Sequence, residues 1–228
     1  MESVGLNIFQ RIAMGFQGGG LFMYPIAILF IVTLAISIER FHALFMKYYI
    51  DAASFMTSVL ENVAGGKIDQ AMKICQKHKN AAVSRVALAG LNAAEDGEEA
   101  LLNAIDVANL HVVPELQKRT NYLQMIANVA TLFGLLGTIV GIIAAFAGLA
   151  AVDPVSRQEA LSKGISEALN ATAFGLLVAI PAMIIHSILT NRTLKMVEEI
   201  DLFSAKLIPM LTRNFGRPSL KAARGARE

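Results

Sequence analysis

Two threonines and one glutamate stand out in a chain otherwise poor in chemically useful side chains. Thr138 lies in LLGTIVGI (135–142), Thr172 in ALNATAFG (168–175), and Glu167 immediately before the second stretch. No charged residue occurs from 120 to 152 or from 168 to 191. Both threonines therefore sit in stretches able to supply the roughly 20 apolar residues that cross a hydrocarbon core. An ionisable group costs roughly 3 kcal/mol at the centre of a bilayer and less near its surface, so Glu167 points to a lumen or a partner. The plainer alternative is a solvated helix start, where the dipole favours an acid. HExxH, GxSxG, P-loop and paired-cysteine patterns are all absent from the sequence, which leaves hydrolytic and nucleotide chemistry without a foothold. No cofactor and no metal are expected, nor is an enzyme; any work must draw its energy from elsewhere.

The elements that position these residues belong to a membrane protein. Of the 228 residues 55% are hydrophobic and only 17% charged, unlike a soluble domain of this length. A third uncharged window runs from 12 to 38. The expected fold is all-α, with three transmembrane helices, a helical cytoplasmic domain, and long helices extending from the second and third spans. The expected divisions are an N-terminal interfacial amphipathic helix at 1–18, spans at 19–40, 126–150 and 166–190, a cytoplasmic helical region at 41–125, a short periplasmic loop at 151–165, and a cytoplasmic helix with a basic tail at 191–228. Basic residues collect in the 41–125 segment and after 190, including Lys118, Arg119, Arg192 and Lys195 beside the spans. That places both segments in the cytoplasm and the N-terminus in the periplasm. Within 41–125 the periodicity predicts helices over 52–63, 68–78 and 81–94, punctuated by Gly65-Gly66 and Glu95-Asp96-Gly97. A further helix runs from Glu98 into the second span with a kink at Pro114. Pro25 and Pro181 are expected to bend their spans. Glu39-Arg40 is read as an interfacial pair that snorkels, His186 as an interfacial histidine, and the lone Cys75 as a spectator. The net charge of +2 gives no reason to expect nucleic acid.

Both later spans carry a stripe of small residues three or four apart: Gly134, Gly137, Gly141 and Ala145 in one, Gly164, Ala168 and Gly175 in the other. Small residues let transmembrane backbones approach closely, since no hydrophobic effect joins helices inside lipid. Packing alone would account for such a stripe. Two matching stripes, each with a threonine, favour a pore.

Taken in order, MYPIAILFIVTLAISIERF, LFGLLGTIVGII and ISEALNATAFGLLVAIPAMI, with a short loop between the last two, resemble the MotA/TolQ/ExbB proton-channel family, nearest its TolQ/ExbB branch. The resemblance implies a homopentamer in the bacterial inner membrane whose second and third spans line a pore. It implies two copies of a single-span ExbD/TolR-like partner with a transmembrane aspartate in that pore, and a TonB- or TolA-like or other periplasm-spanning protein beyond it. Thr138 and Thr172 then correspond to threonines that face the partner's aspartate, Glu167 to the acid of the third-span motif, and the small residues to a pore face. A hydroxyl suits that place because it donates and accepts without holding charge. Asn170 stands where an apolar residue is common in the family and is given no role. A membrane scaffold without proton conduction and a self-sufficient proton channel are the rival readings.

Overall fold

The computed structural model describes residues 19–149 and 156–215. The expected amphipathic helix at 1–18, the first part of the loop after 149 and the tail after 215 lie outside the described residues. The elements are α1 (Met23–His42), a π-helical turn (Ala43–Lys47), α2 (Ala52–Ala64), α3 (Ile68–Lys77), α4 (Ala82–Ala93), a 3-10 turn (Ala94–Asp96), α5 (Glu98–Gln117), α6 (Thr120–Leu149) and α7 (Arg157–Phe215). There is no strand among the described residues. The all-α membrane architecture expected from the sequence is what is found: three helical stretches are long and apolar enough to cross a bilayer.

Among the described residues, one compact unit comprises 19–39, 119–149 and 156–188. Ile26 of α1, Ala130 of α6 and Val178 of α7 are buried together, with Leu29, Phe133 and Phe174 packed around them. Ala127, Ala179 and Ala182 form a second buried group along α6 and α7. Much of the remaining surface is bare leucine, isoleucine and phenylalanine, Ile143 and Phe146 being about 62% and 61% exposed, as lipid-facing helices require. Polar groups in the first span are satisfied locally: the Thr33 hydroxyl donates to Leu29 O at 2.8 Å and the Ser37 hydroxyl to Thr33 O at 2.6 Å. Glu39 pairs with Arg119 at 2.5 Å. His186 Nδ1 lies 3.0 Å from Thr120 O.

The second unit comprises, among the described residues, 40–118 and 189–215. The C-terminal part of α7 presents Met196, Ile200, Phe203, Leu207 and Leu211, all buried at helical spacing. Phe203 meets Phe55 of α2 with ring centroids 6.2 Å apart. Asn214 Nδ2 donates to Val63 O at 2.7 Å, satisfying one carbonyl at the end of α2. Phe55, Val59 and Val63 of α2, Ala71 and Cys75 of α3, Val86 and Leu91 of α4, and Leu101 and Ile105 of α5 complete the buried set. Gly90 lets α4 and α5 close, since a Cβ there would sit 3.0 Å from Ile105 Cδ1. Burial pushes the Cys75 thiol up to about 11. Glu115 accepts from Arg85 Nη1 at 2.5 Å and from the Tyr48 hydroxyl at 2.8 Å. The Arg85 bond, then the Tyr48 bond, hold the Glu115 carboxyl below the usual range; burial and the same acid raise Tyr48.

Three details differ from expectation. The helix expected to run from Glu98 straight into the second span continues through Pro114 but stops at Lys118, with Arg119 at φ 62°. Proline removes a bond to the carbonyl of Leu110, whose side chain is 74% exposed, so water can take that carbonyl; a left-handed arginine cannot continue the helix at all. Arg40 does not snorkel with Glu39. It is buried and donates to the carbonyls of Leu116 and, at 3.5 Å, Glu115, capping the last turn of α5 with a cation, as the dipole favours. Finally, α7 is already helical at Arg157, inside the expected 151–165 loop. Loss of charge marks only the stretch from 168 to 191, whereas this helix of 59 residues runs past it at both ends.

Candidate functional site

α6 and α7 approach through their small residues. A Cβ on Gly134 would lie 3.1 Å from Thr172 Cα, on Gly137 2.6 Å from Ala171 Cβ, and on Gly141 2.9 Å from Ala168 Cβ. From the other side, a Cβ on Gly164 would overlap Ala145, and one on Gly175 would lie 2.7 Å from Ala130 O. The residues assigned to a pore face are thus brought together, but against one another. The helix they admit is a helix of the same chain. Spacing alone marks a small face without saying which helix lies against it.

This close approach carries the two hydroxyls into contact. The Thr138 and Thr172 hydroxyls hydrogen-bond to each other across the seam. Gly134 O lies 3.2 Å from Thr138 Oγ1 and 3.0 Å from Thr172 Oγ1, and Ala168 O lies 3.3 Å from Thr138 Oγ1. Each hydroxyl has one proton to donate, and several acceptors are within reach. The protons can therefore be redistributed between carbonyl and neighbour without moving a heavy atom, leaving lone pairs or a donor free for a third group. Gly134 is the hinge of this arrangement, supplying both the shared carbonyl and the space beside Thr172.

Glu167 is placed elsewhere. Its carboxylate lies against Gly20, where a Cβ would overlap it, and Gly20 has φ +67°. Glu167 lines a cavity of about 430 Å³ with Lys163, Gly164, Leu21, Gly141 and Ala145. The three residues singled out for chemistry thus fall into two places: a threonine pair in the α6–α7 seam, and a glutamate against the start of the first span. The positive φ of Gly20 and its contact with a residue 147 positions later leave no local signal in the sequence.

The profile of the MotA/TolQ/ExbB proton channel family matches residues 78–202, which include the threonine pair, Glu167 and the whole seam. The chain belongs to this family. A biopolymer transport protein ExbB homolog of Methanothermobacter thermautotrophicus is 26% identical over 198 residues, 86% of this chain and 69% of the relative. An ExbB-like protein of Synechocystis is 29% identical, over 83% of this chain and 74% of its own length. The Tol-Pal system protein TolQ of Haemophilus influenzae is 32% identical over 54% of this chain and 55% of its own. With three apolar spans and this kinship, the chain is a TolQ/ExbB-like multi-pass protein of the inner membrane.

Proposed function

We propose that the chain is the pore-forming subunit of a motor driven by the proton-motive force, which couples proton flow to mechanical work on the cell envelope. In this reading five copies form a ring with the N-terminus periplasmic and the C-terminus cytoplasmic. Two copies of a single-span ExbD/TolR-like partner lie within the ring, and a TonB- or TolA-like or other periplasm-spanning protein receives the force. A partner aspartate takes up and releases protons beside Thr138 and Thr172. Each proton moved across 100 mV makes about 2.3 kcal/mol available.

The observation that carries the reading is the hydroxyl pair. Two threonines 34 positions apart share a carbonyl and each other within two uncharged helical stretches. Such a pair can hydrogen-bond a carboxylate in either protonation state and stay neutral throughout. Glu167, held near the expected periplasmic end of the third span, supports proton entry beside the cavity that it lines.

The seam itself favours a second reading, a scaffold, because the small residues are accounted for by packing within the chain. Proton uptake by liposomes holding this chain with a single-span, aspartate-bearing partner separates the two. Thr138→Val, which keeps shape and removes the hydroxyl, abolishes flux under the motor reading while Thr138→Ser retains it. Undiminished flux from a normally assembled Thr138→Val complex would sink the motor reading. Flux from the chain without a partner would favour a self-sufficient channel.

A further inference from the structure

Several polar residues of α6 that the threonine pair leaves unused lie on one side of that helix. Gln124, Asn128 and Thr131 stand at helical spacing with Thr138, and at 3.6 residues per turn the four fall within an arc of about 80°. On one flank of the arc come Ala127, Gly134 and Gly141, which pack against α7. α1 meets α6 further round that same flank, through Ile26 beside Ala130 and Phe22 beside Gly137. The arc therefore opens on the side of the seam away from α1. On its other flank lie Leu132, Leu136 and Ile143, apolar and exposed as lipid contacts should be.

Asn128 and Thr131 are exposed and Gln124 is half-buried. The Thr131 hydroxyl donates to Ala127 O at 3.0 Å, and Gln124 Nε2 donates to Asn128 Oδ1 at 3.3 Å. These bonds leave the Asn128 amide protons and part of both amide oxygens facing outward. In hydrocarbon such groups would go unmet, and polar side chains at membrane depth are tolerated where they line water or protein. On α7, Ser187 stands on the same side of the seam towards the cytoplasmic end and is also exposed. The row thus runs from the threonine pair to that end of the span without a charged group.

We propose that Gln124, Asn128 and Thr131 line a hydrated lane through which protons pass between the Thr138–Thr172 pair and the cytoplasm. Their amides and hydroxyl order a file of water that relays the proton, while none of them holds charge. The lane rests on the motor reading, and the tests below tell the two apart.

Single cysteines are introduced in the full chain, with Cys75→Ala as background, in cells that assemble the complex with its partner. Inverted membrane vesicles are then treated with a charged methanethiosulfonate. Gln124→Cys, Asn128→Cys and Thr131→Cys react at least about tenfold faster than Leu136→Cys on the apolar flank, because only a thiol that meets water ionises. Equal rates at all four positions, whether high or low, overturn the lane. Proton flux supplies the second readout: Asn128→Leu and Thr131→Val each lower it severalfold, and Asn128→Ser retains more of it than Asn128→Leu. If Thr138→Val stops flux while Asn128→Leu and Thr131→Val do not, the lane is wrong and the motor stands. If Thr138→Val also leaves flux intact, the motor reading fails with it.

Discussion

Replacing Gly175 by alanine tests whether the seam, and with it the hydroxyl pair, depends on backbone approach. The new Cβ would lie 2.7 Å from Ala130 O and 3.1 Å from Gly134 Cα, both main-chain atoms that no rotamer change can move. Ordinary contact begins near 3.4 Å, so α6 and α7 must part by about 0.7 Å, and a gap of that size forfeits roughly a quarter to a half of each dispersion contact it opens. Overpacking of this kind costs about 1–3 kcal/mol. Alanine is about 0.8–1.0 kcal/mol the better helix former, which leaves a net loss of about 1 kcal/mol at the middle of that range. Gly148→Ala is the matched control: nothing lies within 4 Å of its Cβ position, so only the propensity gain remains. Reversible unfolding of the full chain by SDS in mixed micelles, followed by far-UV circular dichroism, measures both. Gly175→Ala is expected to unfold at a lower SDS fraction than the parent and Gly148→Ala at an equal or higher one. Stability of Gly175→Ala equal to the parent, or an equal loss in both variants, would refute the argument.

Much of the architecture was legible because two strong constraints write themselves into residue type. Lipid requires long uncharged stretches, and the three in the sequence match three helices long and apolar enough to cross a bilayer. Glycine pairs and polar clusters punctuate helices, so the predicted 52–63, 68–78 and 81–94 became Ala52–Ala64, Ile68–Lys77 and Ala82–Ala93. What was not legible depends on residues far apart in the chain. Arg40 looked like an interfacial partner of Glu39, yet its guanidinium caps carbonyls 75 and 76 positions later. The break at Lys118–Arg119 has no glycine or proline to announce it, whereas Pro114, which looks like a break, sits in an intact helix. At the site, periodicity could place each small residue on its own face but could not name the residue it meets on the facing helix, such as Ala171 opposite Gly137 or Ala168 opposite Gly141.

Glu115 offers a pH test. Arg85 and Tyr48 hold its folded carboxyl below the unfolded value, so their stabilisation is present above about pH 4.3 and fades as pH falls through the folded pKa. The Arg85 and Glu115 side chains are 35% and 36% exposed; water therefore screens the pair, and Glu115→Gln is expected to cost less than about 1 kcal/mol at pH 7. The difference in unfolding midpoint between parent and Glu115→Gln should shrink from pH 7 to pH 4, and a constant difference would contradict the ion pair. Gly20→Ala tests what holds Glu167. Gly20 and Gly66 share a left-handed backbone, φ +67° and +71°, so alanine at either site costs about 1–2 kcal/mol of backbone strain. Only at Gly20 does the added Cβ also overlap the Glu167 carboxylate; at Gly66 it meets nothing within 4 Å. If Glu167 takes part in proton entry, Gly20→Ala lowers partner-dependent flux and Gly66→Ala does not. Adding Glu167→Asp, whose carboxylate is one methylene shorter, should restore part of the flux by making room for the new Cβ. Backbone strain alone cannot produce that recovery, because it is unchanged in the double variant. Equal flux loss in Gly20→Ala and Gly66→Ala, or a double variant no better than the worse single one, would detach Gly20 from the placement of Glu167.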